Sequence, residues 1–182
     1  MIDTGQLAAL VAITSSAISS VTDLRSGRIP NVITYSTALI GITIGIINQI
    51  NGVSPGPIDS LLGLGGAFLL FGTLMSIGSL GGGDVKLMAA IGALMGFPFI
   101  INSGVRIVAI GAAMALIVTI YRSIRTGTLP GSLYRLISVV TLTIPIREVL
   151  ADQKSPGKTL PFAPAICLGV ISTVLSRDLF WQ

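Results

Sequence analysis

The chain has 182 residues, 52% of them hydrophobic and 10% charged, with a net charge of +4. Soluble domains carry about 25% charged residues, so the composition excludes a water-exposed globule. It predicts an all-α protein, a polytopic membrane bundle of about six transmembrane helices forming a single domain over residues 1–182. Histidine is absent and cysteine occurs once, at Cys167, which excludes an imidazole base, a zinc finger, a Cys/His nucleophilic pair and a structural disulfide. Metal and cofactor are both expected to be none, and no basic run is long enough to suggest nucleic acid.

A spanning helix needs about 20 mostly apolar residues, with ~17 as a working minimum. The first apolar stretch runs from Thr4 to Val21. It has no basic flank and no A-x-A-like site after it, so it reads as a retained span rather than a cleaved leader. A polar loop, Asp23-Leu24-Arg25-Ser26-Gly27-Arg28-Ile29-Pro30-Asn31, follows, with Pro30 placed to close it and open the next helix. The second stretch is Val32 to Ile50. Asn51-Gly52 and Pro55-Gly56-Pro57 then break the chain before the third, Ile58 to Ile77, where Asp59 is placed to cap.

Gly78 to Gly83 forms a flexible approach to the fourth stretch, Val85 to Ile101, with Asp84 at its mouth and Lys86 just inside. Asn102 and Ser103 separate it from the fifth, Gly104 to Tyr121. Leu133 to Leu150 contains Arg135, Pro145 and Arg147 and is expected to lie in the interface. The last stretch, Phe162 to Leu175, holds Cys167 as a packing residue. Glycine, at 22 residues, is abundant enough to let helices approach closely.

Lys and Arg set the orientation. With the loop after the first span in the cytoplasm, the inner side holds Arg25, Arg28, Lys86, Arg122, Arg125, Arg135, Arg147, Lys154 and Lys158. The outer side holds Arg106 and Arg177, so the bias is nine against two. Asp23 and Asp84 fall on the same, cytoplasmic side.

A carboxylate at the edge of a bilayer is expensive and reads as a functional site. Two carboxylates close in space cannot easily both ionise, so one keeps its proton and the other stays charged. The charged acid can take a proton from water as the water attacks an amide carbonyl. The protonated acid can polarise that carbonyl and supply the leaving nitrogen. Gly81, Gly82 and Gly83 would let an extended substrate backbone approach and would permit unusual dihedrals beside Asp84.

Each acid also has a plainer reading. Asp84 can be a helix cap with the glycines as linker, and Asp23 a solvated loop acid balanced by Arg25 and Arg28. Lys86 can be an interfacial anchor, and Glu148 and Asp152 solvated loop charge. A transporter or channel with acidic ion sites is the main alternative to an enzyme, and a structural subunit of a secretion machine is a third. A transporter places such acids near the midplane, whereas these two sit at span ends, and no inverted repeat is visible.

Gly81-x-Gly83-Asp84 resembles the G-x-G-D signature of membrane aspartyl proteases. Asp23-Leu24-Arg25 followed by Ile29-Pro30-Asn31 resembles the first catalytic loop of the type IV prepilin peptidases. Lys158-Thr159-Leu160-Pro161-Phe162-Ala163-Pro164-Ala165 is similar to the proline-containing start of that family's last span. The resemblance implies an inner-membrane endopeptidase that removes the short cytoplasmic leader of prepilins and pseudopilins, with Asp23 and Asp84 as catalytic pair. Gly81, Gly82, Gly83, Lys86, Pro30 and Asn31 would shape the site or bind substrate. Larger members carry an N-terminal region with paired cysteine motifs and also methylate the new N-terminus. The absence of such cysteines here resembles the short form associated with tight-adherence (Flp-type) pili, so peptidase activity without methylation is expected. Archaeal preflagellin peptidases share the aspartate motifs and remain a possible relative.

Overall fold

The computed structural model describes residues 3–76, 80–126 and 162–180. Among them are six helices: α1 (Thr4–Ser26), α2 (Asn31–Ile50), α3 (Pro57–Ser76), α4 (Gly82–Met95), α5 (Phe97–Thr126) and α6 (Ala163–Phe180). The described residues contain no strand. The chain divides into two compact units, residues 1–110 with 161–182 and residues 111–160. The described part of the second unit is the C-terminal part of α5.

Four segments are long and apolar enough to cross a membrane: α1, α2, α3 and Phe97–Val118 of α5. In α6 the shorter apolar segment is Ala163–Ser176. The 14 residues of α4 rise only about 21 Å, less than the about 30 Å of a hydrocarbon core. Its sequence explains its place. It is apolar or small on every side, so no face seeks water. From Val85 to Met95 every residue except Lys86 is buried. Helices α1, α2, α3 and α6 pack around it, while Leu39, Leu69 and Val105 stand exposed on the outer surface, as lipid contact requires.

Glycine sets how closely the helices approach α4. A Cβ on Gly41 of α2 would lie 2.6 Å from the backbone of Ala93 and Leu94. Gly63 of α3 and Gly92 of α4 face each other's backbone, each where the other's carbonyl leaves no room for a side chain. Several hydroxyls on these helices are satisfied locally, as with Ser15 Oγ to Ala12 O (3.1 Å) and Ser16 Oγ to Ile13 O (2.9 Å). Arg106 donates through Nη1 to the Ser172 carbonyl of α6 at 2.6 Å, which gives a charge within a span the partner it needs. Asp59 caps α3 as expected, accepting the Gly56 N–H at 3.0 Å.

Three boundaries differ from the sequence expectation. First, α1 does not stop at Val21 but continues to Ser26. Gly27 ends it in the left-handed region (φ 64°), its N–H bonded to Asp23 O at 2.8 Å. Asp23 is therefore helical rather than part of a loop. Second, the break after α4 is at Gly96 (φ 81°), not at Asn102 and Ser103. Those two polar side chains bond back to Pro98 O (3.2 Å) and Ile100 O (3.3 Å), so α5 runs through them. Third, Gly82 and Gly83 belong to the first turn of α4 rather than to a flexible approach, while residues 77–79 lie outside the described residues. The proposed interfacial segment 133–150, with Glu148, Asp152, Lys154 and Lys158, also lies outside them.

Candidate active site

Asp23 arrives at the site on a face of α1 already fixed by packing. Ala8, Ala12, Ser15, Ser16 and Ser19 are the buried residues of that helix. Their spacing continues to Asp23, four residues beyond Ser19, in the last turn. Asp23 is half-buried, and its Oδ2 accepts the backbone N–H of Ala163 at 3.3 Å. The Ser19 hydroxyl is buried and has no hydrogen-bond partner among the described residues.

Asp84 is the third residue of α4, and Gly81 is the N-cap in an extended conformation (φ −81°, ψ 151°). Asp84 Oδ2 reaches back to the Gly81 N–H at 3.2 Å, while its own N–H donates to Gly81 O at 3.1 Å. This is the reciprocal geometry of a helix start. The capping interpretation is thus correct for one oxygen. The other, Oδ1, is buried with no partner among the described residues. A buried polar atom left unpaired costs on the order of 1–3 kcal/mol, so its retention at this point is notable.

The two acids lie at one end of the bundle, at the C-terminal end of α1 and the N-terminal end of α4, near enough for the charge of Asp23 to act on Asp84. Asp84 lies outside the four segments long enough to span. Burial first, then the charge of Asp23, pushes its carboxyl up from an ordinary 3.8 to about 6, against the opposing pull of the Gly81 N–H.

The glycines act differently from expectation. None of Gly81, Gly82 and Gly83 adopts a positive φ, so unusual dihedrals are not their purpose. Close approach is. A Cβ on Gly83 would lie 3.1 Å from Ile29 Cβ, and one on Gly81 would lie 3.2 Å from Asp84 Oδ2. Ile29 packs partly buried against the core, so Gly83 seats the α1–α2 connection on the start of α4. Gly83→Ala is expected to lower the thermal midpoint in detergent by pushing Ile29 outward, and adding Ile29→Ala is expected to recover most of the loss. A double-mutant cycle on stability measures the coupling. Additive effects would mean that the two residues do not press on each other.

Pro30 is the N-cap of α2 (φ −63°, ψ 131°) and Asn31 its first residue. Lys86 Nζ donates to Asn31 Oδ1 at 3.1 Å and sits 5.7 Å from the Tyr35 ring centroid. Lys86 and Asn31 therefore tie α4 to α2, and no ion pair joins Lys86 to either acid among the described residues. Cys167 is a half-buried free thiol. No group of three or more His, Cys, Asp or Glu forms among the described residues, so the site offers two carboxylates and no larger ligand set.

Sequence reasoning held Ile29 and Ala163 only as motif residues and missed the packing of Ile29 on Gly83, the buried Ser19 hydroxyl and the Ala163 amide contact. Ser19 was legible as the position one turn before Asp23. A backbone donor contributed by the far end of the chain leaves no such signal.

Fold and site together define a helical membrane protein that carries a paired-aspartate centre at one end of its bundle. The type IV leader peptidase family matches residues 10–123, a stretch that includes Asp23 and Asp84. The chain belongs to that family, and at family level it is a prepilin leader peptidase of the membrane. No curated protein and no solved structure matches it.

Proposed function

We propose that this protein is an aspartic endopeptidase that removes the cytoplasmic leader of type IV prepilins of the Flp type. The observation that carries the proposal is the electrostatic coupling of Asp23 to Asp84, with Asp84 Oδ1 buried and without a partner among the described residues. Asp84 enters the reaction protonated and hydrogen-bonds the scissile carbonyl. Asp23 enters charged and takes a proton from the attacking water. As the tetrahedral intermediate collapses, a proton passes to the leaving nitrogen and the pair is restored. Pro30, Asn31, Lys86 and the three glycines shape the cleft rather than react.

The excess of Lys and Arg on the aspartate side supports an inner-membrane enzyme whose site faces the cytoplasm, where a precursor's leader emerges. A transporter finds less support, because the acids lie at helix ends rather than midway along a span. Co-expression with a prepilin, followed by sizing of the precursor, tests the proposal. A precursor left uncut by the wild-type protein refutes it.

The pH dependence has a definite sign. Asp84 is raised to about 6, so its protonated form is present below that pH and is lost as pH rises through it. With purified enzyme in detergent, kcat/KM is expected to fall by about tenfold per pH unit on the alkaline side. A rate that climbs with pH through this range would assign Asp84 the charged role instead.

A further inference from the structure

The first turn of α6 can be accounted for donor by donor. Helix starts leave N–H groups without intrahelical partners. Here the Ala165 and Ile166 N–H groups both return to Phe162 O, at 2.9 and 3.2 Å. Pro164 has no N–H. The Ala163 N–H remains, and it is given to Asp23 Oδ2 on α1, a contact separated by 140 residues. The donor is held firmly: Ala163, Ala165 and Ile166 are fully buried, and Phe162 packs against the core.

The geometry points to the Ala163 backbone amide as the positioning group for Asp23: its N–H, presented from a helix N-terminus, fixes the rotamer of the carboxylate beside Asp84. This rests on Asp23 being a member of the hydrolytic pair. The physical basis is that a helix start concentrates partial positive charge and aims N–H groups outward. Asp23 has no other hydrogen bond to its side chain among the described residues, so without this donor its carboxylate is free to turn away. The charged and titratable side chains on the surrounding elements are Asp84 and Lys86 on α4, Tyr35 on α2, and Arg25 and Arg28 on its own segment. The first turn of α6 contributes no titratable side chain beside the amide.

Proline replaces an amide hydrogen with ring carbon and is well tolerated at the first helical position, the place Ala163 occupies. Ala163→Pro therefore removes the donor with little cost to α6. We expect kcat to fall at least tenfold with KM within about twofold. Ala163→Gly, which keeps the hydrogen, is expected to retain the wild-type kcat. Wild-type kcat in Ala163→Pro would overturn the assignment, as would an equal loss in Ala163→Gly.

A second measurement does not depend on how the proline variant folds. In protein labelled with 15N-alanine, the Ala163 amide proton is expected to exchange slowly with solvent and to exchange faster in Asp23→Ala, which lacks the acceptor. An Ala163 amide whose exchange is the same in Asp23→Ala and the wild type would overturn the assignment. Failure of the protease proposal itself looks different: Asp23→Asn and Asp84→Asn would still cleave, whatever the Ala163 amide does.

Discussion

Asp23→Asn and Asp84→Asn are each expected to abolish detectable leader cleavage, with rates lowered by about 100- to 10,000-fold, the usual contribution of a general acid or base. Both variants are expected to accumulate in membranes at near wild-type levels. The reasons differ for the two residues. Asparagine at 23 keeps an oxygen that can accept the Ala163 N–H, so the helix ends stay joined, but an amide cannot take a proton from water. Asparagine at 84 can still accept the Gly81 N–H and removes the need to bury a carboxyl. It cannot deliver a proton to a leaving nitrogen. Losses of the two are not expected to add in the double variant, because either one alone empties the shared-proton state. Cleavage of a co-expressed precursor, read as a size shift on a gel, checks all three. Cleavage retained in either single variant removes that residue from the reaction.

Gly63→Leu is expected to prevent accumulation of folded protein, with a cost of about 3 kcal/mol or more, the upper end of what overpacking does. The obstacle is the backbone carbonyl of Gly92, which cannot rotate aside as a side chain can. At about 1.4 kcal/mol per factor of ten, that is roughly a hundredfold in the folded-to-unfolded ratio. Gly65 and Gly72 on the same helix have nothing within 4 Å of a built Cβ, so Gly65→Leu and Gly72→Leu should be tolerated. Thermal midpoints in detergent separate the three. Equal behaviour at 63 and 65 would mean that α3 does not seat on α4 through this glycine.

Much of this arrangement was legible in the chain. Apolar runs bounded by turn residues located the six helices of the described residues, because membrane helices need length and few charges and little else. Asp84 and Asp23 stood out because acids are scarce and costly where they lie. Boundaries were harder to read. Asn102 and Ser103 look like loop residues, yet each satisfies its side chain on its own helix. The extension of α1 past Val21 depended on a left-handed cap at Gly27 rather than on hydrophobicity. The role of Gly83 required knowing what stands opposite it, and a one-dimensional pattern cannot show that Ile29 does. The Ala163 amide was beyond reach for the same reason, since every residue but proline has one.

That last contact has a bearing on how the molecule is made. The amide held by Asp23 is synthesised 140 residues after it. A chain emerging from the ribosome has both acids threaded into the bilayer well before the segment that steadies one of them exists. Completion of the centre thus waits for α6 to insert, and a polypeptide that stops short of α6 lacks the Ala163 donor that holds Asp23.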